Sequence, residues 1–246
     1  GSWDDTNTWN CLCIPAPAED AVIAAGHTVT LAAATTINNF TVQTNATLDD
    51  AGFDMMVNGN FVLNGAYNGC GRLRLDGINT TIDGLGTKAL NGDVQIRNGN
   101  KTVLSSANLT IARNLRILAG LTVTNYGIVT INNNLIGSNA ASTWLNENNS
   151  RLNAGNALLD IGTLTAFSTS NTVNFNRGAN QNVKLPSAST YYHLEIQGSG
   201  VKSLTGNTII LGNLTIASTF DADASFNYNL TIGGNWNNSG TFNELL

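Results

Sequence analysis

Asn108-Leu109-Thr110-Ile111 recurs as Asn213-Leu214-Thr215-Ile216 and again as Asn229-Leu230-Thr231-Ile232. Looser apolar-polar-apolar triplets ending in Asn or Gly surround these three copies. A strand turns successive side chains to opposite faces, so each triplet buries two residues and exposes the one between. Short strands of this kind, repeated along a chain and broken by turn residues, are the signature of a β-solenoid. The last two copies lie 16 residues apart, which reads as the span of one short coil.

The same alternation can be followed outward from these copies. Val29 and Leu31 face inward with Thr28 and Thr30 outward. Phe40 and Val42 follow, then Phe53, Met55 and Val57, then Phe61 and Leu63. Leu73 and Leu75 alternate with Arg72 and Arg74, Val94 and Ile96 with Gln95, Leu121 and Val123 with Thr122 and Thr124, and Val129 and Ile131 with Thr130. Period two dominates. A sandwich or antiparallel barrel needs matched strands joined by tight turns. Asn64-Gly65, Asp76-Gly77, Asp83-Gly84 and Asn91-Gly92 offer turns but do not pair strands of equal length, which favours stacked coils.

Composition agrees. The 246 residues are 42% hydrophobic, enough for a long core, yet only 11% are charged. Asn, Gly and Thr fill turns and outward positions, and strong helix formers are thin. A net charge of −5 with 11 Lys and Arg argues against nucleic-acid partners, which require a basic face. No apolar run reaches the roughly 18 residues of a membrane span. Residues 1–20 lack the basic and apolar regions of a signal peptide, so we expect a mature or excised fragment.

We expect residues 1–19 to form an N-terminal cap and residues 20–246 to form the coils as one domain. Solenoid ends expose unpaired backbone, and the large rings of Trp3 and Trp9, with Pro15, Pro17, Asp4 and Asp5, suit a cover over Val22, Val29 and Leu31. At the other end Trp236, Phe242, Leu245 and Leu246 stop in mid-pattern, from which we expect the native polypeptide to continue. Leu214, Ile216, Leu230 and Ile232 are expected to form aligned inward ladders.

Cys11, Cys13 and Cys70 are too few for a disulfide framework. One bridge with one thiol left over is expected, tying the cap to the coils through Cys70, with Cys11 and Cys13 both open as its partner. A zinc site including His27 is disfavoured, because structural sites typically space paired cysteines by about two to four residues. The pairs Asp4-Asp5, Asp49-Asp50 and Asp221-x-Asp223 offer oxygen ligands of the kind Ca²⁺ takes, but none matches the Gly-and-Asp nonapeptide of calcium-binding β-rolls. Solvated turns account for them, and no metal or other cofactor is assigned.

The chain resembles the repetitive surface proteins that gliding and biofilm-forming bacteria export by type IX secretion. The N-terminal resemblance is carried by Gly1, Trp3, Asp5, Trp9, Pro15, Asp20, Val22-Ile23 and Gly26-His27-Thr28-Val29-Thr30. A second stretch comprises Thr172–Asn176, Gln181, Val183, Tyr191–Ile196, Gly212–Ile216 and Asn229–Trp236. What the resemblance implies is a right-handed parallel β-helix outside the cell, within a large adhesin or surface fibre. Cys11 and Cys13 stand where that opening usually has polar residues, and the sorting domain that would prove the export route is not among these 246 residues. The shared motifs look structural and carry over no catalytic residues.

The functional expectation is therefore a non-catalytic structural or adhesive segment of a secreted bacterial surface protein, meeting a surface glycan or another cell-surface component. The rival reading is a carbohydrate-active β-helix enzyme or binding module. Glycosidases need two carboxylates facing one groove, whereas Asp93, Glu147, Asp160 and Glu195 are scattered. Trp144 and Tyr191 are candidate sugar-stacking rings, Tyr192 being taken as inward, and His193 is a candidate ligand contact. His27 reads as a turn or stacking residue. The pairs Thr28/Thr30, Thr122/Thr124 and Thr163/Thr165 do not recur at a constant interval, which argues against an ice-binding array.

Overall fold

A computed structural model describes residues 1–222, 226 and 228–243. It is all-β, with 46% of residues in strands and 3% in helix, wound into a parallel β-solenoid of about ten turns. Among the described residues every strand pair is parallel, and each coil contributes three strands except the one built on Thr143–Asn146 and Arg151–Ala154, whose third side meets its neighbour only through a bridge between Leu158 and Leu135. The first face begins as an eight-stranded sheet running from Ala21–Ile23 to Thr163–Thr165. It resumes with Thr190–Tyr191 through a bridge between Ala166 and Tyr191. The second face starts with Thr28–Thr30, Thr47–Asp49 and Ala66–Asn68. It then runs as eight strands from Thr87–Leu90 to Trp236–Asn238. The third face holds six strands from Thr35–Ile37 to Leu135–Gly137 and four more from Gln181–Val183 to Thr241–Asn243.

Alternation within each strand sets the core. Phe40–Val42, Met55–Val57, Phe61–Leu63 and Leu73–Leu75 all bury their outer two residues and leave the middle one part-exposed. Successive inward residues stack in register, as in Phe40 over Phe61, whose rings lie 5.9 Å and 6.3 Å along a series that starts at Trp3. Phe53 departs from the sequence expectation. It is 40% exposed, because its amide closes a turn onto Asp50 O and the strand begins only at Met55.

Corners are held by side chains that bond backbone one coil away. Asn39 Oδ1 accepts from Asn60 N at 2.7 Å, and Asn60 Oδ1 accepts from Thr81 N at 2.9 Å, each 21 residues apart. A second ladder runs from Asp93 through Asn114 and Asn134 to Ala157 N. An asparagine amide can cap the chain above it while its carbonyl and amide remain in line with the coil axis, which explains why this residue is so abundant at the corners. Close backbone approach fixes some glycines as well. A Cβ on Gly92 would sit 1.8 Å from Gly71 O, so only glycine fits there.

The true coil length corrects the 16-residue reading. Coils close after about 21 residues, so Asn213 and Asn229 are not stacked neighbours. Leu214 and Ile216 lie on the second face, paired with Leu194 and Ile196 before them and with Trp236 and Asn238 after. Leu230 and Ile232 lie on the first face, paired with Thr208 and Ile210. The expected ladder between the two copies does not form. Leu214 and Ile216 are fully buried, whereas Leu230 and Ile232 are only part-buried.

At the N-terminus, Trp3 N donates to Thr30 O at 2.8 Å and Thr30 N donates to Gly1 O at 3.0 Å, which adds a bridge to the first strand of the second face. Trp3 is 1% exposed and Trp9 meets it edge-on at 4.9 Å, with Trp9 Nε1 donating to Trp3 O. Val22, expected beneath them, instead points outward at 50% exposure. The disulfide joins Cys11 to Cys13, and Cys70 is an exposed free thiol. This overturns the expected bridge to Cys70. Cys11 and Cys13 lie against the first coil and Cys70 on a corner of the third. At about 4.8 Å per strand the two levels alone separate them by roughly 10 Å, beyond the reach of a disulfide.

Candidate ligand-binding face

Burial sorts the three sequence candidates. Trp144 points into the core at 0% exposure, its Nε1 donating to Asn146 Oδ1 at 3.1 Å, so its ring has no face to offer a sugar. Tyr191 is also fully buried, packed edge-on to Phe175 with its hydroxyl donating to Lys184 O. Burial holds that phenol well above its ordinary ionisation range. The 3₁₀ turn at Ser187–Ser189 resets the alternation, so Tyr191 rather than Tyr192 turns inward. Both rings are core residues, which corrects their assignment as ligand contacts.

His193 is the candidate that reaches the surface. It is half-buried on the second face, its Nδ1 accepts from Asn213 N at 2.8 Å, and the ring of Tyr192 stands edge-on 4.7 Å away. Parallel pairing brings it beside residues far away in sequence. Arg151, Thr172 and His193 form one outward column, and Asn153, Asn174 and Glu195 form the next.

These columns are cross-linked. Arg151 forks onto Glu195 from two strands away, with Nη1 3.0 Å from Oε1 and Nη2 on Oε2. Its Nε donates to Asn153 Oδ1 at 2.9 Å, and Asn153 in turn donates to Thr130 Oγ1. Asn174 donates to both Asn153 Oδ1 and Gln197 Oε1, and Gln197 donates to Glu195 Oε2. The buried Asn174 Oδ1 is left without a hydrogen-bond partner. The result is a flat polar plate held rigid by bidentate and amide bonds.

Glu195 is the one carboxylate in this plate, and the Arg151 guanidinium neutralises it. Paired-carboxylate hydrolysis requires a second acid across a groove, which the plate lacks. Its chemistry is that of recognition: amide and guanidinium groups fixed on strands, next to an imidazole and a phenol. Arg151 escaped the sequence reading because its partner lies 44 residues on, and only a two-coil offset relates them.

The other sequence candidates fall into structural roles. A cleft of about 750 Å³ opens between the N-terminal turn and the first coil, lined by Trp9, Cys11, Cys13, Glu19, Asp20 and His27. Its carboxylates are engaged: Glu19 Oε2 accepts from Ala16 N, and Asp20 Oδ1 accepts from Asn38 and Asn39. Those bonds, chiefly from Asn39, hold the Asp20 carboxyl below its usual range. Asp5 accepts from Asn7 N, Asp49 from Ala51 N, and buried Asp50 from Gly52 N and Gly71 N, so each closes a turn. Asp223 lies outside the described residues. Among the described residues no group of three His, Cys, Asp or Glu side chains is placed to hold a metal ion, and no helix is long and apolar enough to cross a membrane. Thr122, Thr143 and Thr163 stack in register, but Leu145 interrupts the column between Thr124 and Thr165, and Thr28 and Thr30 lie on another face. No protein-family model matches the chain, and neither a curated protein nor a solved structure is significantly similar to it.

Proposed function

We propose that the chain is a non-catalytic structural and adhesive segment of a large bacterial cell-surface protein, of the kind exported by type IX secretion, and that it meets surface glycans through its outward faces. The observation that carries this reading is the plate around His193. Its polar side chains are locked to one another between coils, and its sole carboxylate is spent on Arg151. A surface so organised binds without supplying an acid and a base. The Cys11–Cys13 disulfide is in keeping with an oxidising, extracellular setting, where such bonds persist.

The test is to immobilise the protein on beads and measure both attachment to polysaccharide-coated surfaces and release of reducing or unsaturated ends from neutral and acidic polysaccharides. Attachment without turnover is expected. Polysaccharide turnover that disappears in Glu195→Gln would replace this reading with the enzyme.

A further inference from the structure

The third face carries a feature unlike the rest of this acidic chain. Five of its 11 basic residues, Arg72, Arg74, Arg97, Arg113 and Arg116, fall on three successive coils at or beside that face. Gln95 pairs with Arg74 on one side and Arg116 on the other, so the three middle residues form one outward column, continued by Met56 and Ile136. Alternate members of such a column stand about 10 Å apart at the strand spacing of roughly 4.8 Å.

Neighbouring acids neutralise only part of this charge. Asp54 holds Arg74 at 2.6 Å and stands 3.9 Å from Arg72. Asp76 pairs with Arg97 at 3.3 Å, a contact whose angle falls short of a hydrogen bond. Asp93 is engaged with Asn114. Arg113 and Arg116 are exposed, and neither forms a salt bridge with the described residues. Arg116 on the sheet and Arg113 on the corner just before its strand thus present two uncommitted guanidinium groups beside a restrained pair and an amide.

We infer that this arginine face binds a linear anionic polysaccharide bearing carboxylates, a deepening that rests on the adhesive reading above. Guanidinium groups grip carboxylates through paired N–H donors, the Gln95 amide suits sugar hydroxyls, and Met56 and Ile136 supply the apolar patches that sugar ring faces cover. Single-stranded nucleic acid is disfavoured, because such binding uses aromatic platforms and the outward column has none.

The experiment is affinity electrophoresis and titration calorimetry of the intact chain with polygalacturonate, a neutral β-glucan and single-stranded DNA, comparing wild type with R113E/R116E. Both positions are exposed, so the variant should fold, which circular dichroism and thermal melting would establish. Wild type should bind polygalacturonate in a salt-sensitive manner and ignore the glucan, and the double variant should lose roughly ten-fold or more in affinity. Arg113→Lys/Arg116→Lys, which keeps charge but loses the fork, should be intermediate. Equal binding of both polysaccharides, an unweakened folded double variant, no binding by wild type, or tighter binding of the DNA would each overturn the proposal. Bead attachment that persists while polygalacturonate binding fails would remove the arginine face and leave the adhesive reading standing.

Discussion

Lys101 and Lys202 are buried at 1% and 0% exposure, each at an inward position near a corner. Lys101 Nζ donates to Gly77 O, Arg97 O and Gly99 O, and Lys202 Nζ donates to Arg177 O, Ala179 O and Ser199 O. In both cases the ammonium joins the carbonyls of its own corner to those of the preceding coil. The buried Gln181 amide links coils in another way, its Nε2 donating to Ala154 O and Asn156 O of the preceding coil while its Oε1 accepts from Arg177 N of its own. Carbonyls crowded at a corner repel one another, so a donor beneath them is worth more than the apolar contact it displaces. Lys101→Met should keep the volume but orphan the carbonyls, at about 2–3 kcal/mol by urea denaturation. Burial lowers the Lys101 ionisation to about 8, opposed by Asp76. Its folded value is below the unfolded 10.5, so between those pH values the unfolded chain binds more protons and this group's contribution to stability rises with pH. The gap between wild type and Lys101→Met should therefore widen from pH 7.5 to 10; a gap that narrows would refute the assignment. Cysteine chemistry gives a second check at this scale. Alkylation of the unreduced protein should label Cys70 alone, and peptide mapping should find Cys11 joined to Cys13.

Identical tetrapeptides have unequal value because the element around them decides what they bury. Ile216 sits between Ile196 and Asn238 in a continuous sheet and is fully buried, while Ile232 pairs with Ile210 and is part-buried. Ile216→Ala should cost about 2–5 kcal/mol and Ile232→Ala distinctly less, measured as denaturation midpoints under one set of conditions. Equal losses would show that local sequence, not coil position, sets the energy. The same contrast explains what could be read in advance. Alternation told inside from outside at Phe40, Phe61, Leu73 and Val94, since period two is a property of a single strand. Coil length was misread from Asn213 and Asn229, since corners of unequal length carry no periodic signal. Phase slipped at Tyr191 after the turn at Ser187–Ser189. The plate around His193 was legible only at that one residue, because Arg151 and Glu195 become neighbours through stacking alone.

A solenoid couples each coil chiefly to its neighbours, so its stability is close to a sum of coil and interface contributions, and an uncovered end loses both apolar burial and backbone pairing. Without its cover the first coil would expose Ile23, Val29 and Leu31, and Phe40 of the second coil beneath Trp3, together with the free edge of Thr28–Thr30. Trp3 closes that end by packing on Phe40, and Trp9 closes Trp3 through an edge-on ring contact and a hydrogen bond to its carbonyl. The short Cys11–Cys13 bridge restrains the turn but does not tie it to the coils, so packing and pairing must hold the cover in place. Trp3→Ala should therefore cost about 3–5 kcal/mol, while reduction of the disulfide should cost much less. Deleting residues 1–19 should leave the distant coils folded and turn the bare end into a template for stacking. Light scattering should then show concentration-dependent association of the deletion variant, with far-ultraviolet circular dichroism still dominated by β-structure. A monomeric deletion variant with an unchanged denaturation midpoint would refute the capping role.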